Sequence, residues 1–136
     1  MTAPSSGTGN VVLLVEDDED IRASTAESLE SEGFAVIGAE GVDEGLSHLR
    51  QGPPPVVILL DLMMPGRNGW DFRQDQLADP ALRKIPVVVI TASGIGAESL
   101  RRDMGDVQLV AKPFTCESLL RAIARATVSE PVNRQA

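Results

Sequence analysis

Five short apolar runs punctuate the chain, at residues 11–15, 34–37, 56–60, 85–90 and 107–111. Several are almost unbroken Val, Ile and Leu, and they do not alternate with polar residues. Unbroken runs of that length suit strands covered on both faces, as in a parallel sheet. Pro86 falls near the start of the fourth run, where a strand tolerates a missing N–H. Between the runs the apolar period lengthens to that of a helix. Ile21, Thr25 and Leu29 are spaced by four, with Asp20 predicted as the cap and Gly33 as the stop. Val42, Leu46 and Leu49 repeat the pattern before Gly52 and three prolines. Trp70, Gln74 and Leu77 predict a third helix ended by Asp79-Pro80. Residues 95–104 predict a fourth, and Leu119, Leu120 and Ile123 a fifth, opened by Thr115.

Strand followed by helix, five times over, predicts an α/β fold: a doubly wound, five-stranded parallel sheet with helices on both faces. Residues 10–128 form the expected domain, between a disordered tail at 1–9 and a C-terminal tail at 129–136. The five units share a rhythm but no residue-level repeat, which argues against a solenoid.

Polar residues cluster where the runs end. The first leads into Glu16-Asp17-Asp18, the third into Asp61, the fourth into Thr91 and the fifth into Lys112-Pro113. The second ends blandly, as expected of a strand at the sheet margin in the order 2-1-3-4-5. In an open parallel sheet the strand C-termini share one edge, and ligands bind there. Acids, a hydroxyl and an amine distant in sequence are therefore expected to meet around Asp61. That placement also explains a carboxylate inside "ILLDLMMPG": Asp61 is expected to emerge from the core at the ligand edge rather than lie buried. Two carboxylates 4 Å apart repel by about 4 kcal/mol at an effective dielectric near 20. A divalent cation offsets this, and an all-oxygen donor set without His or Cys favours Mg2+. With Lys112 and Thr91 beside it, such a site suits phosphoryl transfer to a carboxylate nucleophile.

Charge and composition narrow the function classes. Net charge is −8, which speaks against a nucleic-acid face. No apolar run approaches the roughly 20 residues of a membrane span, and the N-terminus lacks a signal-peptide pattern. The single cysteine, Cys116, allows no internal disulfide or cysteine metal cluster. A cytoplasmic location, without membrane or nucleic-acid partners, is the expectation. His48 is expected at the surface, Cys116 as a small packing residue, and Trp70 partly buried.

The stretches "VLLVEDDEDIR", "VVILLDLMMPGRNG", "VVVITAS" and "VAKPF" closely resemble the receiver domain of bacterial two-component response regulators, of the single-domain, chemotaxis-regulator-like kind. The resemblance implies a flavodoxin-like fold and a phosphoprotein that is not an enzyme beyond its own phosphotransfer and dephosphorylation. It implies Asp61 as phospho-acceptor, with Lys112 and Thr91 contacting the phosphoryl group. Magnesium would be held by Glu16, Asp17 (the direct ligand of that pair), Asp61 and the backbone carbonyl of Met63. Lys112-Pro113 is expected to be cis. A histidine kinase or histidine phosphotransfer protein would be the donor, an unknown downstream protein the target, and the chain a monomer or weak dimer. Leu109 departs from the family, which often places Tyr or Phe there as the partner of the switching threonine. A rearrangement of the fourth helix or of the loop around Gly94 and Gly96 is the expected substitute. Met63 and Ser93 occupy positions that tune dephosphorylation in the family. Two other readings are a phosphorylation-independent receiver-like interaction module and an aspartyl-phosphate phosphatase of the haloacid dehalogenase type. The phosphatase usually needs a second acid two residues after the nucleophile, and Met63 stands there.

Overall fold

The computed structural model describes residues 10–92 and 96–128. Both expected tails, Ser93, Gly94 and Ile95 (the expected start of the fourth helix) lie outside the described residues. The elements run β1 (Val11–Val15), α1 (Glu19–Ser31), β2 (Ala35–Ala39), α2 (Val42–Gln51), β3 (Val57–Asp61), α3 (Gly69–Ala78), β4 (Val87–Ala92), α4 (Ala97–Met104), β5 (Gln108–Lys112) and α5 (Cys116–Val128). The five strands form one sheet in the order β2-β1-β3-β4-β5, with every neighbouring pair parallel. The doubly wound parallel sheet expected from the alternating runs is therefore present, in the flavodoxin-like order that the resemblance implies.

Strand side chains alternate between two cores, because successive Cβ atoms leave opposite faces. Val12, Leu14, Val57, Leu59, Val88 and Ile90 face one side, under Leu29 of α1 and Leu119 and Ile123 of α5. Leu13, Val15, Ile58, Leu60, Val87 and Val89 face the other, under α2, α3 and α4. This is why β3 shows no polar alternation: all five of its residues are buried. Strand β2 lies at the margin and is mostly exposed, Ile37 included.

Three local expectations need correction. Asp18, not Asp20, caps α1, its Oδ1 accepting from the Ile21 N–H at 3.0 Å. Asp20 sits in the first turn, where a negative charge suits the helix dipole. The buried side of α3 is Gly69, Phe72, Arg73 and Gln76, while Gln74 and Leu77 are exposed. Two long polar side chains enter that core because their groups find acceptors and donors. Arg73 Nε donates to the Met104 carbonyl at 2.8 Å and Nη1 to Gln76 Oε1 at 2.8 Å. Gln76 Nε2 in turn donates to the carbonyls of Leu82 and Ile85, each at 3.0 Å. Finally, Asp61 is buried, at 2% exposure. Strand β3 does end at the ligand edge, but neighbouring groups cover the carboxylate.

Other expectations hold. Thr115 opens α5, its Oγ1 accepting from the Ser118 N–H at 3.0 Å. Trp70 is half-buried against the core, and His48 is exposed with its Nε2 3.8 Å from Glu44. Cys116 is a half-buried free thiol at the start of α5.

Candidate functional site

Register decides which polar residues meet. Val15 lies opposite Leu60, Asp61 opposite Ile90, and Ala92 opposite Lys112. The residue after each pairing therefore reaches the same rim: Glu16 beside Asp61, and Thr91 one position beyond the partner of Asp61. Lys112 Nζ lies 3.4 Å from Asp61 Oδ1 and 3.7 Å from Glu16 Oε1. One carboxylate oxygen each from Glu16, Asp17 and Asp61 fall within 4.8 Å of one another. Four of the residues singled out in the sequence thus converge within ion-pair or common-ligand distance. Thr91 is buried next to them, its hydroxyl donating to the Ala92 carbonyl at 3.2 Å. Met63 donates its N–H to Asp61 Oδ1 at 3.4 Å, and its side chain is 58% exposed at the mouth of the site. The Lys112-Pro113 peptide bond is cis.

The acids differ in environment. Glu16 and Asp61 are buried, whereas Asp17 is exposed. Burial pushes the Glu16 carboxyl up to about 7; the Asp18 N–H at 3.1 Å opposes the rise, the adjoining Asp61 carboxylate adds to it and Lys112 counters it. Among the described residues, Lys112 alone stands within ion-pair distance of these two buried carboxylates, which are therefore short of positive charge. An all-oxygen cluster of this kind fits a hard divalent cation, which would supply the missing charge. Glu16, Asp17 and Asp61 are the side chains able to hold it.

Several supporting residues escaped sequence reasoning. Arg22 Nη1 donates to the Glu16 carbonyl at 2.8 Å, fixing the backbone where the acids leave β1. Its spacing of six from Glu16 carries no periodic signal. Arg67 bridges Asp43 of α2 and Asp75 of α3, and so ties down the loop that follows Asp61. Asn68 and Asp71 close a reciprocal capping box at the start of α3. That pattern was legible as N-x-x-D, a variant of the usual box. Gly69 lets α3 approach the strand end: a Cβ there would lie 2.9 Å from Leu62 Cα and 3.1 Å from the Asp61 carbonyl oxygen. Both contacts are with backbone, so Gly69→Ala forces α3 outward. The expected cost is about 1–3 kcal/mol, measured as a lower urea midpoint at unchanged m.

Comparison with known proteins matches residues 12–124 to the response regulator receiver domain. The chain belongs to that family. The receiver is 33% identical over 132 residues to the phosphate regulon transcriptional regulatory protein PhoB of Escherichia coli (strain K12), covering 91% of this chain and 57% of that protein. It is 33% identical over 116 residues to the transcriptional regulatory protein PdtaR of Mycobacterium tuberculosis (strain ATCC 25618 / H37Rv), covering 85% and 55%. The chain thus spans a little over half the length of these curated relatives. Among solved structures, the Vibrio cholerae chemotaxis protein CheY4 superposes with a TM-score of 0.78 at 24% identity, over 86% of this chain and 98% of that one. NtrX from Brucella abortus gives 0.76 at 27% identity, over 86% of this chain and 26% of that one. Among the described residues of this receiver, no helix is long and apolar enough to cross a membrane.

Proposed function

We propose that this receiver is a phospho-accepting switch in a two-component phosphorelay, with Asp61 as the acceptor. The observation that carries the reading is the placement of Lys112 Nζ 3.4 Å from a buried Asp61 within a three-acid cluster. Glu16, Asp17 and Asp61, with the Met63 carbonyl, are the groups proposed to hold Mg2+, which when bound supplies positive charge to the phosphoryl oxygens. The donor is a phosphohistidine of a kinase or phosphotransfer protein. An Asp61 carboxylate oxygen attacks phosphorus in line as the P–N bond breaks, and the leaving imidazole takes a proton. Lys112 neutralises charge on a phosphoryl oxygen, and Thr91 turns its hydroxyl from the Ala92 carbonyl to a second one. The product adds charge and acceptor oxygens at the sheet edge, which biases a pre-existing equilibrium among partner-binding states. The chain turns over no separate substrate, acts in the cytoplasm as a monomer or weak dimer, and signals by changing its affinity for a downstream protein.

Leu109 is half-buried against the core beside Trp70's cluster and carries no ring. We therefore assign the conformational response to α4, which Gly96 precedes as an N-cap without a side-chain hydrogen bond. The test of the whole reading is incubation with acetyl phosphate and Mg2+, followed by intact-mass and peptide mapping. One phosphoryl group on Asp61 is the expected result. An unmodified chain favours the phosphorylation-independent interaction module, and release of phosphate from many esters favours the phosphatase.

Lifetime follows from the mouth of the site. The exposed Met63 side chain has no group to orient an attacking water. Met63→Asn is expected to shorten the half-life of the phosphorylated chain several-fold. Loss of the added mass after quenching donor and kinase checks this, and equal half-lives refute it.

A further inference from the structure

At the opposite rim of the sheet, where β4 and β5 begin, lies a cavity of about 340 Å³. Arg73, Arg83 and Lys84 line it, with Asp106 and Gln108 as the other polar groups. Three cations against one acid give a local net charge of +2 in a chain of net −8. Arg83 and Lys84 are exposed, and neither forms an ion pair among the described residues.

Arg73 is the unusual member. Its residue is 7% exposed, and the hydrogen bonds from Nε and Nη1 end on neutral acceptors, the Met104 carbonyl and Gln76 Oε1. No carboxylate among the described residues stands within 4.0 Å of it. Its remaining nitrogen, Nη2, is turned toward Gly105, where a Cβ would lie 3.7 Å away. A guanidinium taken from water is costly unless it is paired as well as hydrogen-bonded. Burial accordingly pulls the Arg73 pKa below its ordinary value, and Asp106 counters this only at a distance.

We infer that this cavity is a binding site for a small phosphate monoester. A phosphate dianion matches the local charge, and a planar guanidinium with two flexible cations recognises its oxygens. The volume exceeds that of a lone phosphate and falls at the lower end of small-molecule pockets, which leaves room for a short organic group. The site shares no residue with the acid cluster at the other rim, so it stands whether or not Asp61 is phosphorylated.

The test is a two-dimensional amide NMR titration of the full chain with glycerol phosphate and with inorganic phosphate, in chelator to silence the acid cluster. Acetate serves as the monoanion control. Saturable shifts at Lys84, Ile85, Val87 and Gln108 are expected, with glycerol phosphate the tighter of the two. The double variant Arg83→Ala/Lys84→Ala changes only exposed side chains and is expected to weaken binding at least tenfold. Absence of saturable shifts at those amides overturns the inference. So does equal binding by the double variant, or acetate binding as tightly as glycerol phosphate.

Discussion

Asp61→Asn is expected to lose phosphoryl incorporation from acetyl phosphate by at least about 10³-fold, since it removes the nucleophile itself. The substitution is nearly isosteric. It keeps a carbonyl oxygen for the Met63 N–H, and Lys112 retains Glu16 as a partner at 3.7 Å. The folded chain should therefore persist, which near-ultraviolet circular dichroism verifies in the same sample. Asp17 makes this more than a formality. It is exposed and belongs to the same cluster, so a donor reacting with any accessible carboxylate would reach Asp17 before buried Asp61. Residual label mapping to Asp17 at the original rate would show that position in the cluster, rather than Asp61, determines acceptance.

The second large effect is on stability. Phe72 of α3 is fully buried in the core against α2, and Phe72→Ala is expected to cost about 3–5 kcal/mol. That is a large part of the 5–15 kcal/mol typical of a domain, so a marked fall in thermal midpoint should follow. Gly45 supplies an internal check. A Cβ at Gly45 would lie 3.0 Å from both Phe72 Cε2 and Val15 Cγ2. Gly45→Ala alone should destabilise by crowding, and should cost less in the Phe72→Ala background, where the ring is gone and the Val15 contact remains. A double-mutant cycle reads this coupling directly, and additive costs would show that the two residues do not share that space.

The fold was legible because its signal is redundant. Strands β1, β3 and β4, covered on both faces, are apolar almost throughout, and a helix follows each strand, so each unit repeats the evidence of the last. The site was legible for a related reason: polar residues at the ends of apolar runs have one common destination in a parallel sheet. What escaped depends on partners remote in sequence. Asp61 looked exposed because a carboxylate rarely stays buried; Glu16 and Lys112, which stand against it, come from other segments. The apolar pattern read over α3 passed over Arg73 and Gln76, because hydropathy records a side chain's cost in a core. It does not record the carbonyls of Leu82, Ile85 and Met104 that offset it. The α1 cap was missed for a smaller reason. Asp18 and Asp20 are chemically equivalent, and only backbone direction selects between them.

The strand order also shapes how the chain must assemble. Val12 lies beside Val57, with a complete helix-strand-helix passage between them. No strand of the sheet pairs with another through a tight hairpin; each union waits for a distant segment to be made and brought back. Such topologies fold more slowly than those built from local pairings. During synthesis the central pair must wait for β3 to leave the ribosome, and Lys112 joins its acids only after β5 has followed. The ion pairs of Lys112 with Glu16 and Asp61 therefore close only after every strand of the sheet has been made.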